Sequence, residues 1–264
     1  MSLFSLNTWA LVVGLFGIVI AATLAGNLVG RRLRSGSKGQ REPFGVLQAA
    51  LLGFMALVLA FGLSLAVGRY ENRRIAVVNE ANALGTAYLR AQTIAEPNRS
   101  SSLDLLRRLT DESIAIAQTV PGSPEQADAI ARGAEVERAL WDQGGQAVTT
   151  EPTATGPRLY LDSLNTAFDA QSTRIYGLGN RVPTPVLLLS LIGAALALGL
   201  LALHLGALGR GPVIAMLAAL LVGSTLFITF DLDRPVRGLI NVPADPLTSL
   251  RASMDAPPAY PGPR

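Results

Sequence analysis

The sequence contains no cysteine, which excludes disulfides, iron–sulfur clusters and thiolate zinc sites. It has a single histidine, His204, so a histidine metal site would need carboxylates or several copies of the chain to complete it. Charged residues are scarce at 16%, against about 25% in an ordinary soluble domain. Half of the 264 residues are apolar and the mean hydropathy is +0.38. No Walker loop, nucleophile elbow, zinc-binding helix or dinucleotide-binding glycine run occurs. The carboxylates have no spacing that selects a catalytic pair. The chain is therefore not read as an enzyme, and neither a metal nor a cofactor is expected. The net charge of +3 comes from scattered arginines rather than a basic stripe, which argues against a nucleic-acid partner.

What the sequence does have is long uncharged runs. A helix needs about 20 mostly apolar residues to cross a bilayer. Residues 9–30, 44–68, 185–208 and 212–230 each supply such a run. Trp9 stands where an interfacial aromatic belongs. Pro185 and Pro212 stand at first helical positions. The first run is too long for a cleavable signal, and no positive residue precedes it. The lipid bilayer is thus the first expected partner, and the fold class is an all-α membrane protein with four transmembrane helices.

The organisation follows: 1–68 holds two spans and a short basic link, and 69–183 is a helical extramembrane domain. Spans three and four occupy 184–231, and 232–264 is a tail with a proline-rich end. Within the middle, 70–96 continues the second span as one helix up to Pro97, with apolar positions at helical spacing. A second helix is expected over about 102–119. A third starts at Ser123-Pro124-Glu125-Gln126, a cap, a proline, an acid and a capping-box glutamine. It is expected to end near Trp141, before Gly144-Gly145, leaving 144–157 as a loop. A fourth runs over 157–176. Gly177-Leu178-Gly179 and Gly209-Arg210-Gly211 read as helix breaks. The tail beyond Asp255 is expected to be extended or disordered.

Basic residues near the spans set orientation. Arg31, Arg32, Arg34, Lys38 and Arg41 crowd the first link, and Arg210 lies in the second. Both links are therefore expected in the cytoplasm. The N-terminus, middle domain and C-terminus then lie on the outer face.

Several side chains are candidates for function. Phe54 and Phe61, seven residues apart in the second span, share a helix face with Leu57 and Leu65, and such a stripe is a candidate pore constriction that gates by dewetting. Arg69, Arg73 and Arg74 follow the second span, and Asp231 and Asp233 follow the fourth. Together they are a candidate charged collar. Glu80 is expected to form a partly buried ion pair with Arg73 or Arg74. His204 lies within the third span, where it is a packing group or a ligand for a pigment or haem, and Gln48 has the same depth. Gly26-x-x-x-Gly30 and Ala195-x-x-x-Gly199 allow close helix approach.

Two stretches carry a family resemblance: FGLSLAVGRYENRRIAVVNEANALGTAYLR at 61–90 and DLDRPVRGLINVPADPL at 231–247. With two spans, a helical middle and two more spans, the chain resembles the bacterial bestrophin-like family. Phe61, Arg73, Arg74, Glu80, Asn82, Gly85, Thr86, Asp233, Pro235 and Gly238 match its pattern. The resemblance gives Glu80, Asn82, Gly85, Pro235 and Gly238 a structural role and no residue a catalytic one. It implies an oligomeric ion channel with an aromatic and aliphatic neck on the second span, for which Phe54 and Phe61 are the nearest counterparts. In bestrophins the middle domain is cytosolic, opposite to the charge count above. Two functions are therefore expected: a homo-oligomeric channel conducting passively along an axis lined by the second span, or a non-catalytic accessory subunit among partner membrane subunits.

Overall fold

The computed structural model describes residues 7–33, 41–210, 212–257 and 260. Its regular elements are helices α1 (Thr8–Arg32), α2 (Arg41–Ala91), α3 (Asn98–Gln118), α4 (Pro124–Thr150), α5 (Thr155–Gly179), α6 (Thr184–Ala207), α7 (Val213–Leu232) and α8 (Asp245–Ser253), and no strand occurs among the described residues. Four stretches of helix are long and apolar enough to cross a membrane. Arg34, Lys38 and the rest of the first link up to residue 40 lie outside the described residues, as do 258–259 and 261–264 at the proline-rich end.

The chain forms two compact units, one of residues 1–70 and 181–240, the other of 71–180 and 241–264. The first contains α1, α6, α7 and the first part of α2. On α1, Leu11, Leu15, Val19, Thr23, Asn27 and Gly30 are buried, a ridge of nearly i, i+4 spacing that lies against α6. A Cβ built on Gly26 would collide with the Gly199 carbonyl, and one on Gly30 with the Leu203 carbonyl. The small residues of α1 thus meet those of α6 in the same chain, backbone against backbone. Asn27 Nδ2 donates to the Ala202 carbonyl at 3.5 Å. α6 ends in a Schellman motif: Arg210 N–H bonds the Leu205 carbonyl, Gly209 N–H bonds that of Gly206, and Gly209 has φ +73°.

The second unit wraps α3, α4, α5 and α8 around the later part of α2. Its core holds Val77, Leu84 and Tyr88 of α2, Leu106 and Leu109 of α3, Val136 and Leu140 of α4, Tyr160 and Leu164 of α5, and Leu247 and Met254. α4 starts as the sequence signals, with the Ser123 hydroxyl accepting from Gln126 N–H, while the Gln126 side chain accepts from Gly122 N–H at 2.8 Å rather than from Ser123. The expected stop before Gly144-Gly145 does not occur, because α4 continues to Thr150. A Cβ on Gly144 would sit 2.7 Å from Leu161 Cδ1. This glycine makes room for α5, which outweighs its own helix penalty of about 1 kcal/mol. Gly177 and Gly179 form the last turn of α5, and the chain leaves the helix at Asn180, next to the expected break. No sequence signal above announces α8.

Candidate functional site

In the membrane-spanning part of α2, two faces differ. Met55, Leu59 and Ala66 are buried, and Gly62 approaches the Ser190 hydroxyl of α6, where an added Cβ would stand 3.4 Å away. On the other face Phe54 is 57% exposed and Phe61 62%, with Leu57 and Leu65 beside them. Seven residues turn a helix through about 700°, within about 20° of alignment, so the rings project in nearly one direction. No described helix of the chain covers them.

The charged residues at the helix ends are mostly engaged. In the first unit Asp231 and Asp233 are fully buried. Asp233 Oδ1 accepts from Val182 N–H at 2.9 Å, and Asp231 Oδ2 accepts from Ile240 N–H at 2.9 Å. A Cβ on Gly238 would stand 2.8 Å from Asp231 Oδ1. Only glycine lets that backbone pass so close to the carboxylate. Pro235 is buried in the same turn and Arg69 is half-buried. In the second unit Arg73 is buried and its Nη2 donates to the Asn180 carbonyl at 2.9 Å. Arg74 is exposed and pairs with Glu71 at 3.4 Å.

Glu80 has a different partner from the one expected, neither Arg73 nor Arg74. It is fully buried and forms an ion pair with Arg174 of α5, which is 2% exposed. Ser113 Oγ of α3 donates to Glu80 Oε1 at 2.7 Å, and Arg174 Nη2 donates to both Glu80 Oε1 at 3.3 Å and the Ser113 carbonyl at 3.1 Å. The reason is axial distance. Arg73 shares the face of Glu80 but lies two turns away, about 10 Å along the helix, whereas Arg174 arrives laterally. Arg174 carries a signal of its own: with Leu164, Ala167, Gln171 and Leu178 it falls on the buried face of α5, and a buried arginine requires an acid. Asn82 is exposed, and its carbonyl accepts from the Thr86 hydroxyl at 3.0 Å. An added Cβ on Gly85 would come 3.2 Å from Leu250 of α8.

A family profile described as "Bestrophin-like domain" matches residues 9–247. The chain belongs to the bestrophin-like family. Solved structures agree in fold. A bacterial bestrophin homologue from Klebsiella pneumoniae, phased by zinc anomalous diffraction, is 15% identical, with 90% of this chain and 94% of that one covered at a TM-score of 0.69. A mutant form of that homologue gives 0.65, at 15% identity over 89% and 97%. Another mutant structure, described only as that of a membrane protein, reaches 0.73 at 15% identity over 96% and 99%. No curated protein matches in sequence. At the level of the family, membership supports a membrane ion channel rather than an enzyme.

In this bestrophin-like chain His204 lies in the last turn of α6 and is half-buried. No group of three or more histidine, aspartate or glutamate residues able to hold a metal ion occurs among the described residues. Gln48 is buried.

Proposed function

We propose that the chain is one subunit of a homo-oligomeric ion channel of the bacterial inner membrane. It conducts passively along an axis lined by the membrane part of α2. The observation that carries this reading is the uncovered Phe54–Leu57–Phe61–Leu65 face opposite a packed one. Repeated around an axis, that face forms a dry constriction, in which water is unstable and conductance stays low until the neck widens. The engaged state of Asp231, Asp233 and Arg73 leaves Arg74 and Arg69 as the collar members nearest to water, where they bias the charge of entering ions. A second reading, an accessory subunit beside partner membrane subunits, is favoured by the composition of the spans. His204 is the sole ionisable side chain within the four apolar runs, whereas ion pathways often hold a charge. Size in mild detergent together with ion flux from proteoliposomes separates the two. The channel requires a symmetric homo-oligomer and flux; a single copy that leaves liposomes tight means an accessory subunit.

A further inference from the structure

On the second unit, Glu137, Arg138 and Trp141 of α4 face Asn165 and Phe168 of α5 across an open cleft of about 460 Å³. The positions fall at i, i+1 and i+4 on one helix and i, i+3 on the other, so they share one groove. The rings of Trp141 and Phe168 lie 6.5 Å apart at 51°, forming an aromatic corner. Trp141 remains 47% exposed, which leaves ring surface for a ligand to desolvate. Glu137 is half-buried and forms no hydrogen bond or ion pair among the described residues. Glu112 of α3, by contrast, is held by Arg132 through two bonds of 2.9 Å each. Asn165 donates to Asp169 at 3.5 Å, and Arg138, also in the lining, opposes the charge of Glu137.

An aromatic corner beside an uncommitted carboxylate suits one chemistry. A small organic cation with methylated or alkylated nitrogen loses little hydration on entry, gains attraction from ring faces and finds a counter-ion. A metal ion would meet one carboxylate and no other strong ligand, and an anion would be repelled by it. We propose that this cleft binds a small organic ammonium ion, with Trp141 and Phe168 as its walls and Glu137 as its counter-ion. The site belongs to the second unit alone and does not depend on the pore reading.

Trp9 and Trp141 are the chain's two tryptophans, so Trp9→Phe leaves Trp141 as the sole reporter. The full-length protein in detergent is titrated with choline chloride against sodium chloride at constant ionic strength. A saturable change in Trp141 emission is expected, about tenfold weaker in affinity for Glu137→Gln. The uncharged carbon isostere of choline, 3,3-dimethyl-1-butanol, should bind no better than choline binds that variant. Arg138→Gln, which removes an opposing cation, should tighten binding. No saturable response to choline overturns the proposal. So does equal binding of the neutral isostere, which would make the cleft merely apolar, or undiminished binding by a Glu137→Gln variant that is folded.

Discussion

Two carboxylates of the helical unit make opposite demands at the scale of single residues. Glu80 is fully buried and fully committed to Arg174 and Ser113. Removing it leaves an unpaired guanidinium inside a low-dielectric core, which costs about 3–5 kcal/mol. Glu80→Ala is therefore expected to lower the melting temperature of the purified protein by several degrees or more, while Arg73→Ala should leave the Glu80 contacts intact. An unchanged melting curve for Glu80→Ala would contradict the buried pair. Glu137 is the reverse case. Burial first, and the charge of Glu80 second, raise its pKa above the ordinary 4.5, with Arg138 opposing. A carboxyl raised in the folded state contributes stability below its unfolded pKa and loses that contribution as pH rises through the folded value. Near pH 7 its ionised form is thus a net cost. Glu137→Gln should melt higher than the native protein at neutral pH, and the gap should close at around pH 4, where the native carboxyl is already protonated. A gap that widens on acidification would reverse the assigned sign.

Among the elements, helix ends and the tail show what the sequence makes legible. The four long apolar runs need only length and charge to identify, and α1, α6 and α7 begin and end within a few residues of them. Ser123-Pro124 marks the start of α4 because a cap is a local bond. Gly144 misleads because its role is not local: the space of its missing Cβ is filled by Leu161 from α5, and no window of sequence around 144 contains that neighbour. The partner of Glu80 is hidden for the same reason, since Arg174 is 94 residues away. α8 is masked by the prolines around it. Its worth comes from Leu247 and Met254, both buried in the core of the second unit. The Met254 carbonyl also accepts from the Tyr88 hydroxyl at 2.9 Å and from Arg107 Nε at 3.1 Å. Met254→Ala should cost about 2–5 kcal/mol, read as a lower melting temperature. A cost below about 1 kcal/mol would mean that the tail contributes nothing to that core. Of the candidate site, the aromatic face of α2 is readable from a spacing of seven, whereas the burial of Asp231 and Asp233 depends on backbone amides of residues 182 and 240 that no pattern announces.

At the scale of the whole molecule, two properties follow from the proposed channel: which way it faces and whether it conducts. The charge count places the first link inside and the middle domain on the outer face, while the bestrophin arrangement implies the opposite. The absence of native cysteine makes single-cysteine labelling clean. With the charge count, a membrane-impermeant thiol reagent on intact cells labels Trp141→Cys and not Lys38→Cys; the reverse pattern puts the middle domain in the cytosol. In the proposed channel, conduction rests on the uncovered face of α2. Because Phe61 is 62% exposed in the single chain, truncating it opens no cavity inside a subunit. If the rings instead pack against a neighbouring protein, the loss costs about 3–5 kcal/mol. The most direct measurement is conductance of Phe61→Ala in planar bilayers beside the native protein, with melting curves of both. The channel predicts several-fold higher conductance at near-native stability. A variant that carries no more current than the native protein, whether destabilised or not, would contradict a pore lined by this face.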